Sequence, residues 1–495
     1  MSTRKYLSKQ KQMFGYRAKD RLPEGHICFL IHEIVDELEL GPAARGASIL
    51  GAPCFDPRLM VKVLFYGYNR GIRSSRKLAA ECRENVGFIH LCRGQEPDFR
   101  TIALFRRENG PLLSRTFSSL VRRLVEAGIV SVSHIIVDGT KVHANASNGK
   151  IIHRKFFDEV KKAIDEWMSA SAELDAEEEL REKLSSAGIS TSAASRGLDS
   201  LQSLVEKCTK TVEAGECSKA AKASTTDPDS RFMRDGIGSR INLAYNVQVA
   251  VDAETGIPVG CDVTQDAHDS ASLGRMVDAV EGASEEAVEA VDADCGFFNS
   301  DEVHGLEERG KDVCVADGLT KTAMNRGKLE ELIQEDEFIY NASRDVFECE
   351  YGNEHVFTRL ADKGNGKVLR VYVSKRRCDG CPRHERCFGR SQLKRHMIRK
   401  HVDFVWLKRH RKRFLKPEYQ ERLEKRRLIE LTFGHWKHNL GFRKFLLRGL
   451  SGARVETFLV ATASVLGRLC NILKLDGRSW ASLASTRRLV GQRAV

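Results

Sequence analysis

The order of apolar patterns in this 495-residue chain predicts an α/β fold with a mixed sheet, preceded by an all-helical domain. Three observations carry that expectation. Residues 24–128 place apolar side chains at helical spacing. From His134 to Asp294 the patterns run strand, insertion, hairpin, helix and strand. Finally, 495 residues are too many for one core and imply roughly three domains.

The helical region rests on PRLMVKVLFYGYNRG, SSRKLAAECREN and PDFRTIALFRREN, broken by Gly71 and Pro97 and opened by the cap-like Ser74 and Asp98. Arg73, Arg76 and Lys77 sit at a turn between two of these segments, as in a helix-turn-helix DNA reader. A helical bundle supporting a neighbouring domain accounts for the same pattern. A strand is expected at His134 to Val137, with Asp138 at its carboxyl end. The chain then turns helical and acidic, passes SSAGISTSAASRG and resumes helical spacing at Leu201, Leu204 and Val205, which reads as an inserted helical hairpin. NLAYNVQVAVD, the turn AETG and IPVGCDVTQD form a two-stranded hairpin. A helix around Ser272 to Gly282 precedes a strand in AVEAVDAD that delivers Asp294.

Composition narrows the function classes. The chain is 41% hydrophobic and 30% charged, as in ordinary soluble proteins. Its first residues are basic without an apolar core segment, so no signal peptide is expected. The longest uncharged apolar stretch, Thr457 to Gly467, falls short of a membrane span. Fourteen cysteines follow no repeating framework and suit reduced thiols in a cytoplasmic protein. Net charge is +12, and Arg390 to Leu450 alone holds 19 Lys and Arg against 5 Asp and Glu. Such a field favours a polyanion and salt-dependent binding. Phe404, Trp406, Phe414, Trp436 and Phe442 lie among these charges, where they serve base stacking or the core.

Three acidic residues stand in separate motifs: Asp138 in HIIVDGTKVHANAS, Asp294 in AVDADCGFF and Glu430 in RRLIELTFGHWKHN. Oxygen ligands of this kind suit Mg2+ or Mn2+, which lean on one or two carboxylates each plus substrate phosphates. Phosphodiester cleavage and transfer is the chemistry they suggest. Strand alternation puts Asp292 and Asp294 on one face, so periodicity does not choose between them. Around Glu430, Pro417 is a good helix start and Gly441 a good stop. At about 100° per residue, Leu423, Arg426, Glu430 and Lys437 fall within a wedge roughly 60° wide. One face then presents a carboxylate flanked by two cations, a metal ligand beside a phosphate track.

These motifs together resemble the DDE transposases of bacterial insertion sequences, most closely the insertion sequence 1182 group. GIRSSRKLAAECRENVGFIHL with PDFRTIALFRREN is similar to that group's N-terminal domain, and VDGTKVHANAS, TDPDSRFM, YNVQVAVD, ADCGFF and FGHWKHNLGFRKFLLRG follow its catalytic landmarks in order. The resemblance spans about residues 50 to 470 and implies an RNase H-like catalytic domain, two divalent metals held by Asp138, Asp294 and Glu430, cleavage of element ends and joining of the freed 3′-OH to target DNA. It favours Asp294 over Asp292, because Gly296 and Phe297 follow it. Related families carry Tyr-x2-Arg-x3-Glu-x6-Lys; here Arg426, Glu430 and Lys437 match, and Leu423 replaces the Tyr. Arg426, Lys437, Arg443, Lys444, Arg73, Arg76 and Lys77 are the candidate DNA contacts. Cys349, Cys378, Cys381 and Cys387 form a set suited to a structural Zn2+ or to buried thiols, with His384 and His396 as substitute ligands.

The expected organisation is a basic tail (1–23), a helical domain (24–128), a catalytic domain (129–475) interrupted by a helical hairpin (156–222) and a Cys-rich insertion (335–400), and a C-terminal tail (476–495). DNA ends and target DNA are the partners, without a membrane, and synapsis of two ends favours a homo-oligomer. A domesticated nuclease with the same site and an inactive DNA-binding repressor are the alternatives.

Overall fold

The computed structural model describes residues 18–38, 40, 55–147, 151–153, 206, 222–234, 240–334, 338–362, 368–389, 393–477, 479–480 and 482. The helical hairpin expected over 156–222 lies outside the described residues, apart from residues 206 and 222. The chain divides into two compact units, Met1–Val291 with Arg426–Val495, and Asp292–Lys425.

In the first unit, α-helices precede the sheet: α1 (Ile27–Glu37), α2 (Pro57–Asn69), α3 (Ser75–Glu84), α4 (Val86–Cys92), α5 (Phe99–Glu108) and α6 (Gly110–Glu126). Local chemistry sets their starts. Asp56 accepts from the Arg58 N–H at 2.7 Å with Pro57 in the first turn, and Asp98 accepts from the Arg100 and Thr101 N–H groups. Ser74 also stands at a helix start, but its side chain makes no capping bond.

β1 (His134–His143) pairs antiparallel with β5 (Ile241–Asp252), in register Asp138↔Val249. A short ribbon of β2 (Ile151–His153) and β3 (Lys222–Ser224) leaves the end of β1. β4 (Arg231–Arg234) and β6 (Pro258–Thr264) both pair with β5, at Ile241–Ala244 and at Asn246–Val251 respectively. The β5–β6 hairpin turns where Gly256 has φ +65°, a conformation that costs glycine little. Asp252 ties the turn by accepting from the Thr255 backbone and hydroxyl. β7 (Ala290–Ala293) neighbours β1 and leads out of this unit after Val291. Nearly every residue of β5 is buried, as befits a central strand covered on both faces. α7 (Leu273–Ser284) packs on β6, and Met276 and Val280 crowd Gly260.

The second unit begins within β7, beside β8 (Asp312–Cys314). It holds α8 (Ser300–Glu308), α9 (Gly318–Asn325), α10 (Leu329–Gln334) and an antiparallel sheet ordered β13-β12-β11-β10-β9. Those strands are β9 (Phe338–Asn341), β10 (Val346–Cys349), β11 (Glu354–Asp362), β12 (Val368–Ser374) and β13 (Met397–His401). Phe347, Tyr372 and Ile398 form the sheet's small core. α11 (His384–Phe388), α12 (Phe404–Arg413) and α13 (Pro417–Lys425) complete this unit. The cationic α12 faces acids: Glu307 accepts from Trp406 Nε1 at 2.6 Å and from Arg413 at 2.6 Å, while Arg411 pairs with Asp317. Trp406, Phe414, Trp436 and Phe442 are all buried. Base stacking by these four rings is therefore ruled out; apolar burial claimed them.

The chain returns to the first unit through α14 (Arg427–Gly434), a π-helix (His435–Asn439) and α15 (Gly449–Leu475). By length and composition α15 would cross a membrane, longer than the uncharged run within it suggests. It packs instead against α2, α6 and β6. The TDPDS segment caps it: Asp227 accepts from the Gly449 N–H at 3.1 Å, and Asp229 from the Leu450 N–H at 3.0 Å.

Candidate functional site

Asp138 does not end a strand. β1 continues through Gly139–His143, because the polar GTK segment keeps pairing with β5, so Asp138 lies mid-strand. Its Oδ1 accepts from the Gly139 N–H at 2.8 Å, and its Oδ2 meets Arg426 Nη1 at 3.1 Å. Arg426 Nη2 lies 3.7 Å from Glu430 Oε1, one helical turn on. A single guanidinium thus stands against Asp138 and Glu430 together. Asp138 is mostly shielded, whereas the Glu430 side chain is 59% exposed, open to a ligand.

The expected continuous helix from Pro417 to Gly441 is not what forms. α13 ends at Lys425, Arg426 caps α14, and a π-helix replaces the α-helix at His435. Leu423 packs on the core of the second unit with Phe414 and Tyr419. Arg426 and Glu430 stay one helical turn apart, whereas Leu423 belongs to α13 in the second unit and Lys437 to the π-helix.

Asp292 and Asp294, in the second unit, have different environments. Asp292 is fully buried and accepts from Arg422 Nε at 2.9 Å and Nη2 at 2.6 Å. Arg422 also reaches Asp312, and burial opposed by these carboxylates leaves its pKa raised. Asp294 is 34% exposed and accepts from Lys321 Nζ at 2.9 Å. The bond to Asp294 is the main cause of a raised Lys321 pKa, which keeps the ammonium charged. Nothing in the residues around Lys321 marked it beforehand; a lone Lys in GLTKT carries no motif.

The candidate DNA contacts divide. Arg76, Lys77, Arg443 and Lys444 are exposed and Lys437 is half-buried. Arg73 is a correction. Its guanidinium donates to Gly441 O at 2.6 Å, Lys444 O at 2.9 Å and Glu456 Oε1 at 3.2 Å, beside the Phe442 ring. Glu456 is itself fully buried and accepts from the Leu446 and Leu447 N–H groups. Arg73 is therefore spent inside the fold, where it secures the loop that exposes Arg443 and Lys444.

Cys349, Cys378, Cys381 and Cys387 line one cavity with His384 and His396. Asn353 links two of them, its backbone N–H lying 3.3 Å from Cys349 Sγ and its amide 3.6 Å from Cys378 Sγ. Among the described residues, no group of three or more His, Cys, Asp and Glu side chains is gathered closely enough to hold a metal. That holds for this cavity and for the carboxylates alike. The donor chemistry fits nonetheless: thiolates suit Zn2+, and two carboxylates already sharing a cation suit Mg2+.

Two segments of the chain match protein-family models. Residues 16–108 match the Transposase domain (DUF772) family, and residues 348–470 match the Transposase DDE domain family. Arg426, Glu430, Lys437 and the four cysteines fall in the second segment, whereas Asp138 and Asp294 fall in neither. No curated protein matches the chain. Both segments are similar to transposase domains, which supports a DDE transposase of insertion sequences, a family whose partner is DNA.

Proposed function

We propose that the chain cleaves insertion-sequence ends and joins the freed 3′-OH to target DNA, through an RNase H-like catalytic domain of the insertion sequence 1182 type. Asp138, Asp294 and Glu430 are the ligands of two Mg2+ or Mn2+ ions. The observation that carries this reading is Arg426, whose guanidinium pairs with two of the three carboxylates from distant parts of the sequence. When bound, the two ions supply an activated oxygen nucleophile and stabilise the leaving 3′ oxygen during in-line displacement.

The protein's own groups set the stage for that step. Arg426 neutralises Asp138 and Glu430, and Lys321 neutralises Asp294, so each anionic oxygen is held ready without repelling DNA. The Gly139 N–H fixes one Asp138 oxygen, which leaves the other to a cation. Exposed Arg76, Lys77, Arg443 and Lys444, with Lys437, offer charge to DNA phosphates, and pairing two ends calls for a homo-oligomer. The four cysteines would hold a structural Zn2+ if they close on one ion, with ordinary thiols as the alternative.

Glu430→Gln tests the reading, because it keeps size and helix propensity while removing a metal-binding charge. End cleavage and DNA binding are measured side by side, with strand joining scored. Cleavage should collapse while binding survives, and Lys437→Ala should instead lower the salt slope of binding by roughly one phosphate contact. Near-parental cleavage by Glu430→Gln would refute the carboxylate assignment. Parental cleavage without joining indicates a nuclease, and binding without metal-dependent cleavage a repressor.

A further inference from the structure

The face of β1 opposite Asp138 carries a polar cluster in the middle of a buried sheet. Alternation along β1 sends Gly139 and Lys141 to that face, and the register sets them across from Gln248 and Asn246 of β5. Asn246 and Gln248 are fully buried. Amides there are costly unless bonded. Asp269, from the segment between β6 and α7, satisfies them with one oxygen: Oδ1 accepts from Asn246 Nδ2 at 2.6 Å, Gln248 Nε2 at 2.7 Å and Lys141 Nζ at 3.3 Å. The amide oxygens of Asn246 and Gln248 have no hydrogen-bond partner; the Gln248 amide nitrogen is held by this carboxylate, and that of Asn246 by it and by Asp266 O at 3.2 Å.

The same oxygen rests on Gly139. A Cβ added there would stand 2.6 Å from Asp269 Oδ1 and 2.8 Å from Gln248 Nε2, so any side chain would force the carboxylate or the amide to shift. Gly139 is also the residue whose N–H holds Asp138 Oδ1. A short chain of contacts therefore runs from the Asp269 carboxylate to the Gly139 backbone and on to the Asp138 carboxylate.

We infer that Asp269 is a positioning residue for Asp138: its carboxylate, braced by Asn246, Gln248 and Lys141, clamps the Gly139 peptide that aims the Asp138 oxygens. This deepens the proposed function and rests on the metal-binding role given there to Asp138. Asp269 works through hydrogen-bond acceptance at one oxygen. Its charge is balanced locally by Lys141, and its bonding partners lie on the face away from Asp138.

The test uses the full chain with Asp269→Ala, Asp269→Asn and an Asp138→Asn control. Mn2+ binding is followed by electron paramagnetic resonance, and amide exchange of peptides spanning 134–143 by mass spectrometry. Asp269→Ala should weaken the Asp138-dependent Mn2+ affinity by about 10-fold or more and speed exchange in β1, since outer-shell partners typically contribute 10- to 100-fold. Asp269→Asn keeps an acceptor oxygen for the three donors and should recover most of both losses. Parental exchange and affinity in Asp269→Ala would overturn the inference. So would an Asp269→Asn loss as deep as that of Ala, the mark of a direct ligand. Should Asp269→Ala not fold, Gly139→Ala pushes the carboxylate off the strand and must reproduce the same two losses; parental values there overturn the inference. If the parent shows no Asp138-dependent Mn2+ binding, the metal reading falls, and exchange across 134–143 alone decides the role of Asp269.

Discussion

Exchanging Asp292 and Asp294 for Asn, one at a time, separates a structural carboxylate from a catalytic one. Asp292 has no exposure and takes two bonds from Arg422, whose side chain is 14% exposed. Removing one member of a buried pair costs about 3–5 kcal/mol. Asp312 still contacts Arg422, and the Asn oxygen still accepts one bond, which together reduce the loss to about 2–3 kcal/mol. At about 2–4 °C per kcal/mol, the melting transition of the second unit should fall by roughly 5–10 °C. The Asp294 pair with Lys321 is at the surface, 34% and 46% exposed, so its loss should cost at most about 1 kcal/mol. Differential scanning calorimetry and an end-cleavage assay, run on both variants, give opposite signatures. Asp292→Asn melts early and retains cleavage below its transition, whereas Asp294→Asn melts like the parent and cleaves nothing. The reverse pattern, with Asp292→Asn stable and inactive and Asp294→Asn active, would refute the assignment.

Elemental analysis of purified protein should find about one zinc per chain, lost in Cys378→Ser; absence of zinc leaves the four cysteines as ordinary thiols. His355 has its pKa lowered to about 4 by burial and, next, by His396. Its folded value lies below the unfolded 6.5, so the neutral form's contribution is complete above pH 6.5 and is lost as pH falls toward 4, by about 3 kcal/mol. Urea midpoints for the parent should therefore drop more steeply across that window than those of His355→Gln; parallel curves would contradict this. Arg73→Ala removes the cation paired with buried Glu456 and leaves only the more distant Arg106, and burial already raises the Glu456 pKa. Melting should report a loss of about 3 kcal/mol, partly restored by adding Glu456→Gln; a fully additive double mutant would show that the two do not interact.

Which features could be read from the residues alone follows from the range of the interactions that create them. The β5–β6 hairpin was legible, because near-continuous apolar runs around AETG need only local turn chemistry. Asp138 as a strand end was not, since GTK looks like a turn until the register with β5 pairs it through His143. Good helix-forming composition from Pro417 to Gly441 concealed the break at Arg426 and the π-helix at His435, where packing of the partly buried Leu423 and burial of Ile429 and Trp436 compete with propensity. The charges themselves were legible and their partners were not. Arg73 reads as a DNA contact until Glu456 is seen to hold it, and Asp292 competes with Asp294 until Arg422 claims it. Each decision is made by a residue more than a hundred positions away, which no spacing rule reaches. Arg422 holds Asp292 fully buried, whereas Asp294 stays partly exposed beside Lys321. That difference in exposure is the physical reason to expect the paired Asn exchanges to cost stability at Asp292 and cleavage at Asp294.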